Sequence, residues 1–113
     1  APHEDDCVIA AGGIGGRNAR LGGVTRIVYL APDVTPGLAK IRTAEANAAW
    51  AYAGLPESAL RHTPLLPPLR RHDPAKLREA AAALRTLIDD FLPTTIVAPR
   101  CSARSCGVYD TPP

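Results

Sequence analysis

The chain has 113 residues, 46% of them hydrophobic and 21% charged, with a formal net charge of +2. That length supports one small domain with a single core, which still leaves much of its surface to solvent. The interspersed charges argue against a nucleic-acid-binding face or an acidic tail, since only Arg70-Arg71-His72 approaches a basic cluster and reads as a solvated loop. No apolar run comes near the ~18 residues of a membrane span. No charged-then-apolar leader opens the chain, so a soluble, cytoplasmic protein is expected.

The first six residues, Ala1-Pro2-His3-Glu4-Asp5-Asp6, gather an imidazole and carboxylates ahead of a glycine-rich apolar stretch. If Asp6 opens a helix and His3 sits in the turn before it, a ring nitrogen and a carboxylate oxygen can converge on one divalent metal. Zinc suits such a mixed donor set, with iron(II) or cobalt as alternatives. Asp5, lying between them in sequence, is then free to deprotonate water, as a hydrolytic metal site needs. The competing reading is a solvated helix N-terminus, in which Asp5 and Asp6 merely favour the positive end of the helix dipole.

Residues 6–21 are expected to form the first helix despite Gly12, Gly13, Gly15 and Gly16. Each glycine costs a helix roughly 0.8–1 kcal/mol relative to alanine, so close approach to a sheet or a substrate is the expected compensation. A dinucleotide fingerprint beginning at Gly13 would need glycine at position 18, where Asn18 stands. Residues 24–30 are β-branched and mostly apolar, as in a parallel strand covered on both faces. Residues 38–53 read as an alanine-rich helix closed by Gly54. On it Arg42 and Glu45 share a face, consistent with a surface ion pair, and Trp50 and Tyr52 are both expected in the core.

Leu65-Leu66, set between prolines, is expected to supply a short strand, flanked by His62 and His72 as solvated loop histidines. Asp73-Pro74 starts the next helix, with Leu77, Ala81, Leu84, Ile88 and Phe91 on one packed face. A short buried strand over 94–98 and an irregular, disordered tail over 100–113 follow. The three cysteines, Cys7, Cys101 and Cys106, read as reduced thiols, with Cys7 a small buried hydrophobe. Cys101 and Cys106 are expected to be exposed, the alternative being that one thiolate serves as a metal ligand.

The Ala-Pro-His-x-Asp-Asp motif is followed by a small-residue glycine helix, a buried strand ending Tyr29-Leu30 and an Arg42-x-x-Glu45 helix closing on Ala53-Gly54-Leu55. From residue 1 to about 99 this pattern resembles the LmbE-like, or PIG-L, family of zinc-dependent N-deacetylases. The resemblance implies an α/β three-layer Rossmann-like fold with a mostly parallel sheet. It implies zinc held by His3 and Asp6, Asp5 as general base, and Arg42 near the substrate. It further implies hydrolysis of an N-acetyl amide on a GlcNAc-containing small molecule, such as a GlcNAc-inositol or a thiol-sugar conjugate. The implied partner is that amino-sugar, and homo-oligomer formation is compatible with the reading.

The chain departs from the pattern at Glu4, where the family usually has Pro, and at Cys7, where it often has Glu. The family also carries a hydrophobic strand before the motif and a His-x-Asp-His segment that gives a third zinc ligand, and neither is found here. A partial deacetylase domain over 1–99, from a fragment or a truncated or frame-shifted product, is therefore expected, with impaired activity. The alternative is a non-catalytic α/β remnant, or a subunit completed by a partner, with weak metal binding. A nucleotide-binding module ranks last, resting on fold analogy alone.

Overall fold

The computed structural model describes residues 4–30, 35–63, 65 and 73–98, with side chains at these positions except 4–6 and 36. The described residues form a small mixed α/β structure of three α-helices and a two-stranded parallel sheet, in two compact units spanning 1–64 and 65–113. No helix among them is long and apolar enough to cross a membrane.

In the first unit, helix α1 (Glu4–Arg20) packs on helix α2 (Pro36–Tyr52). The glycines of α1 set the distance between them. A Cβ at Gly15 would lie 2.8 Å from the Trp50 ring, and one at Gly16 would lie 3.2 Å from the Ala53 carbonyl oxygen. Glycine lets the helices approach closely, and that packing offsets its helix penalty. The compensating neighbour is thus α2, rather than the sheet or a substrate.

Both helices stop by the same local device. Gly22 adopts φ 77°, its N–H donates to the Ala19 carbonyl at 3.0 Å, and Gly23 N–H donates to the Asn18 carbonyl at 2.9 Å. Gly54 adopts φ 92°, with Gly54 N–H on the Ala51 carbonyl at 3.0 Å and Leu55 N–H on the Trp50 carbonyl at 2.9 Å. These paired bonds are Schellman closures, in which a left-handed residue just past the helix is best met by glycine. Asn18 also donates through Nδ2 to Thr25 Oγ1 at 2.8 Å, tying the end of α1 to the approach of the next strand.

Strand β1 (Ile27–Tyr29) pairs in parallel with β2 (Leu60–His62), in the register Ile27–Leu60, Val28–Arg61 and Tyr29–His62. Helix α2 makes the crossover that parallel pairing requires. β1 is shorter than the expected 24–30, and Val24 is 74% exposed. β2 lies upstream of Leu65-Leu66, because a 3-10 turn at Glu57–Ala59 delivers Leu60 straight into the sheet. Asn47 Nδ2 on α2 donates to Glu57 Oε1 at 3.0 Å and fixes that turn. Leu65 is half-buried outside any strand, while Leu66 lies outside the described residues.

The core of this unit joins Ile27, Tyr29, Ala46, Trp50, Leu55, Ala59 and Leu60, with Cys7, Val8, Ala19 and Ala53 packed against it. Trp50 is fully buried, as expected, but Tyr52 is 97% exposed. Two positions along a helix turn the side chain about 200° away, so the two aromatics cannot share the core face.

In the second unit, Asp73 caps helix α3 (Pro74–Phe91) by accepting from Ala75 N–H at 2.9 Å, with Pro74 at the first helical position. Ala80 is buried, and Leu84, Leu87, Ile88 and Phe91 are half-buried. The packed stripe is thus turned toward Ala80, leaving Leu77 and Ala81 exposed, contrary to the expected face. The segment 94–98 is not a buried strand: it is irregular, with Ile96 61% and Val97 58% exposed. A strand exists by exchanging backbone hydrogen bonds with a neighbour, and among the described residues none pairs with this one. His72, Cys101, Cys106 and the rest of 99–113 lie outside the described residues.

Candidate metal and substrate site

Helix α1 begins at Glu4, two residues earlier than expected, so Asp5 and Asp6 occupy its first turn. His3, and the side chains of Asp5 and Asp6, lie outside the described residues, and so does their expected convergence. The donor chemistry itself, one imidazole nitrogen and one carboxylate oxygen, is what zinc accepts. Among the described residues, no group of three His, Cys, Asp or Glu side chains could hold a metal ion.

Arg42 stands midway along α2, half-buried, with its Nε shielded from solvent. Glu45, one turn on, is exposed. Cys7 directly follows the acidic pair, is not part of a disulfide, and is half-buried against the core, broadly the small hydrophobe expected.

The sheet contributes a feature the sequence reading missed. Trp50 Nε1 donates to Tyr29 Oη at 2.8 Å inside the core. On its other side the Tyr29 ring stacks on His62, with centroids 4.7 Å apart and planes 17° from parallel. Thr63 donates both its N–H, at 2.9 Å, and its Oγ1, at 3.0 Å, to the Tyr29 carbonyl. His62 is exposed as expected, but it ends a strand rather than lying in a loop. Tyr29 and His62 are the last residues of β1 and β2, and open parallel sheets bind ligands beyond the carboxyl ends of their strands. No local signal could have found the pair, because His62 is placed beside Tyr29 only by the pairing of β2 with β1.

Compared with protein-family models, curated proteins and solved structures, the chain matches none.

Proposed function

We propose that the chain is a zinc-dependent N-deacetylase of the LmbE-like kind, hydrolysing the N-acetyl amide of a GlcNAc-containing small molecule, with impaired activity because its ligand set is only His3 and Asp6. The observation that carries the reading is the His3-Glu4-Asp5-Asp6 motif at the head of a helix that precedes a parallel β1–α2–β2 unit. On this reading the chain adopts a three-layer Rossmann-like fold with a mostly parallel sheet, and the two described strands are part of it. His3 and Asp6 hold the ion, and when bound it supplies Lewis acidity toward the amide carbonyl and the attacking water. Asp5 accepts the proton of that water and returns it to the departing amine. Arg42 orients the sugar, its partial burial limiting the freedom of its guanidinium.

The test is release of free amine from N-acetylglucosaminyl-inositol by the zinc-loaded chain. Release that falls by about 10²–10⁴ in Asp5→Asn, with zinc content unchanged, is the expected result for loss of a general base. No release by the zinc-loaded chain, or equal release by Asp5→Asn, contradicts the proposal.

A further inference from the structure

Helix α1 is apolar around its whole circumference from Cys7 to Gly16, yet among the described residues only one side of it is covered. Val8, Gly15, Gly16 and Ala19 face the core and α2. The opposite side presents Ile9 at 81% exposure, Ile14 at 60% and Leu21 at 75%, with Ala10 and Gly13 exposed between them. At about 100° per residue Ile9, Ala10, Gly13 and Ile14 fall on one continuous face, and Leu21 follows directly after the helix. A helix apolar on every side is ordinarily buried on every side.

Gly13 sharpens the point. Gly15 and Gly16 are accounted for by contact with α2, whereas among the described residues a Cβ at Gly13 would meet nothing within 4 Å. Nothing among them offsets its helix penalty.

The charges say what kind of neighbour fits. The first turn of α1 carries Glu4, Asp5 and Asp6 in sequence, and its last turn carries Arg17 and Arg20. Arg17 and Arg20 are exposed, on the same side as Ile9 and Ile14. A second α1 lying antiparallel would set each basic end beside an acidic end and oppose the two helix dipoles.

We infer that the exposed face of α1 is a self-association surface, occupied by α1 of a second copy of this chain in antiparallel register. A two-fold axis between residues 11 and 12 sets Ile9 against Ile14 of the second copy and Ala10 against its Gly13. The glycine allows the backbones to approach closely there. One helix pair is small beside the ~1,200–2,000 Å² of a stable interface, so the dimer is a dissociable one of micromolar strength. The inference shares the acidic end of α1 with the catalytic reading, but its test measures mass rather than activity, so the two can fail separately.

Sedimentation equilibrium of the full chain in reductant, from about 10 to 500 µM, should show a reversible monomer–dimer equilibrium in this affinity range. Gly13→Leu improves helix propensity and meets open space in the monomer, so its circular dichroism should hold while dimerisation weakens about ten-fold or more. Ile14→Lys should have the same effect, and Arg17→Glu with Arg20→Glu should weaken the dimer most at low salt. A chain that stays monomeric throughout overturns the inference, including the case where one of its own segments covers α1 and Ile14→Lys lowers the melting temperature. A dimer unchanged by Gly13→Leu and Ile14→Lys overturns it equally, since the contact then lies elsewhere.

Discussion

Gly15 and Trp50 are packed so tightly that a Cβ on residue 15 would lie 2.8 Å from the indole ring. The ring cannot easily give way, because it is fully buried and its Nε1 is hydrogen-bonded to Tyr29. Gly15→Ala therefore sets a helix-propensity gain of about 1 kcal/mol against an overpacking cost of typically 1–3 kcal/mol. We expect net destabilisation of about 1 kcal/mol, seen as a lower urea midpoint followed by Trp50 fluorescence. Gly13→Ala, measured at dilution where the chain is monomeric, should instead stabilise by roughly 0.8–1 kcal/mol. Equal effects of the two substitutions would mean that α1 does not lie against Trp50.

The Trp50–Tyr29 hydrogen bond gives a second prediction. Tyr29→Phe keeps the ring and its stacking but leaves the buried indole N–H without its acceptor. Such an orphaned donor costs about 1–3 kcal/mol. The variant should unfold at lower urea, with an unchanged dependence of stability on denaturant, and the Nε1 proton of Trp50 should shift in its NMR spectrum. An unmoved Nε1 resonance would show that the bond is absent.

These contacts also show which parts of the fold were legible. Gly54 as a helix stop and Asp73-Pro74 as a helix start were read directly, because a cap acts within a few residues of itself. The glycines of α1 called for a close neighbour, although Trp50, from another helix, could not be named from local pattern. Strands were harder. Leu60-Arg61-His62 contains no β-branched residue and buries only Leu60, so nothing local marks it as β2. The pairing with Ile27–Tyr29 fixes it instead. The opposite error occurred at 94–98, where good strand-forming residues meet no strand among the described residues. As for the site, the motif was visible from chemistry alone, whereas the Tyr29–His62 stack depended on register.

In the second unit, Leu92 ends α3 in the left-handed region at φ 50° and donates its N–H to the Ile88 carbonyl at 2.8 Å. A residue with a Cβ carries a penalty of roughly 1–2 kcal/mol there, and glycine carries little. Because the Leu92 side chain is 78% exposed, little packing is lost on removing it. Leu92→Gly should therefore stabilise α3, by about 1 kcal/mol before the added freedom of the unfolded chain is counted. Greater protection of the last-turn amides from hydrogen exchange is the readout, and reduced protection would contradict it.

Loss of the cap at the other end should act in the opposite sense. Asp73→Ala removes the acceptor for Ala75 N–H and should cost α3 about 1 kcal/mol, with Asp73→Asn costing much less. Amide exchange in the first turn of α3 distinguishes the two variants, and exchange in Asp73→Ala equal to that of the parent chain would show that the cap contributes nothing.

Zinc titration against a chromogenic chelator decides whether His3 and Asp6 hold the ion while Asp5 is left for proton transfer. One zinc per chain is expected, with affinity reduced about ten-fold or more by His3→Ala and by Asp6→Ala, since each removes a ligand. Asp5→Asn should stay within about two-fold of the parent chain, because Asp5 supplies no bond to the ion. Zinc affinity unmoved by both His3→Ala and Asp6→Ala would show that neither residue is a ligand.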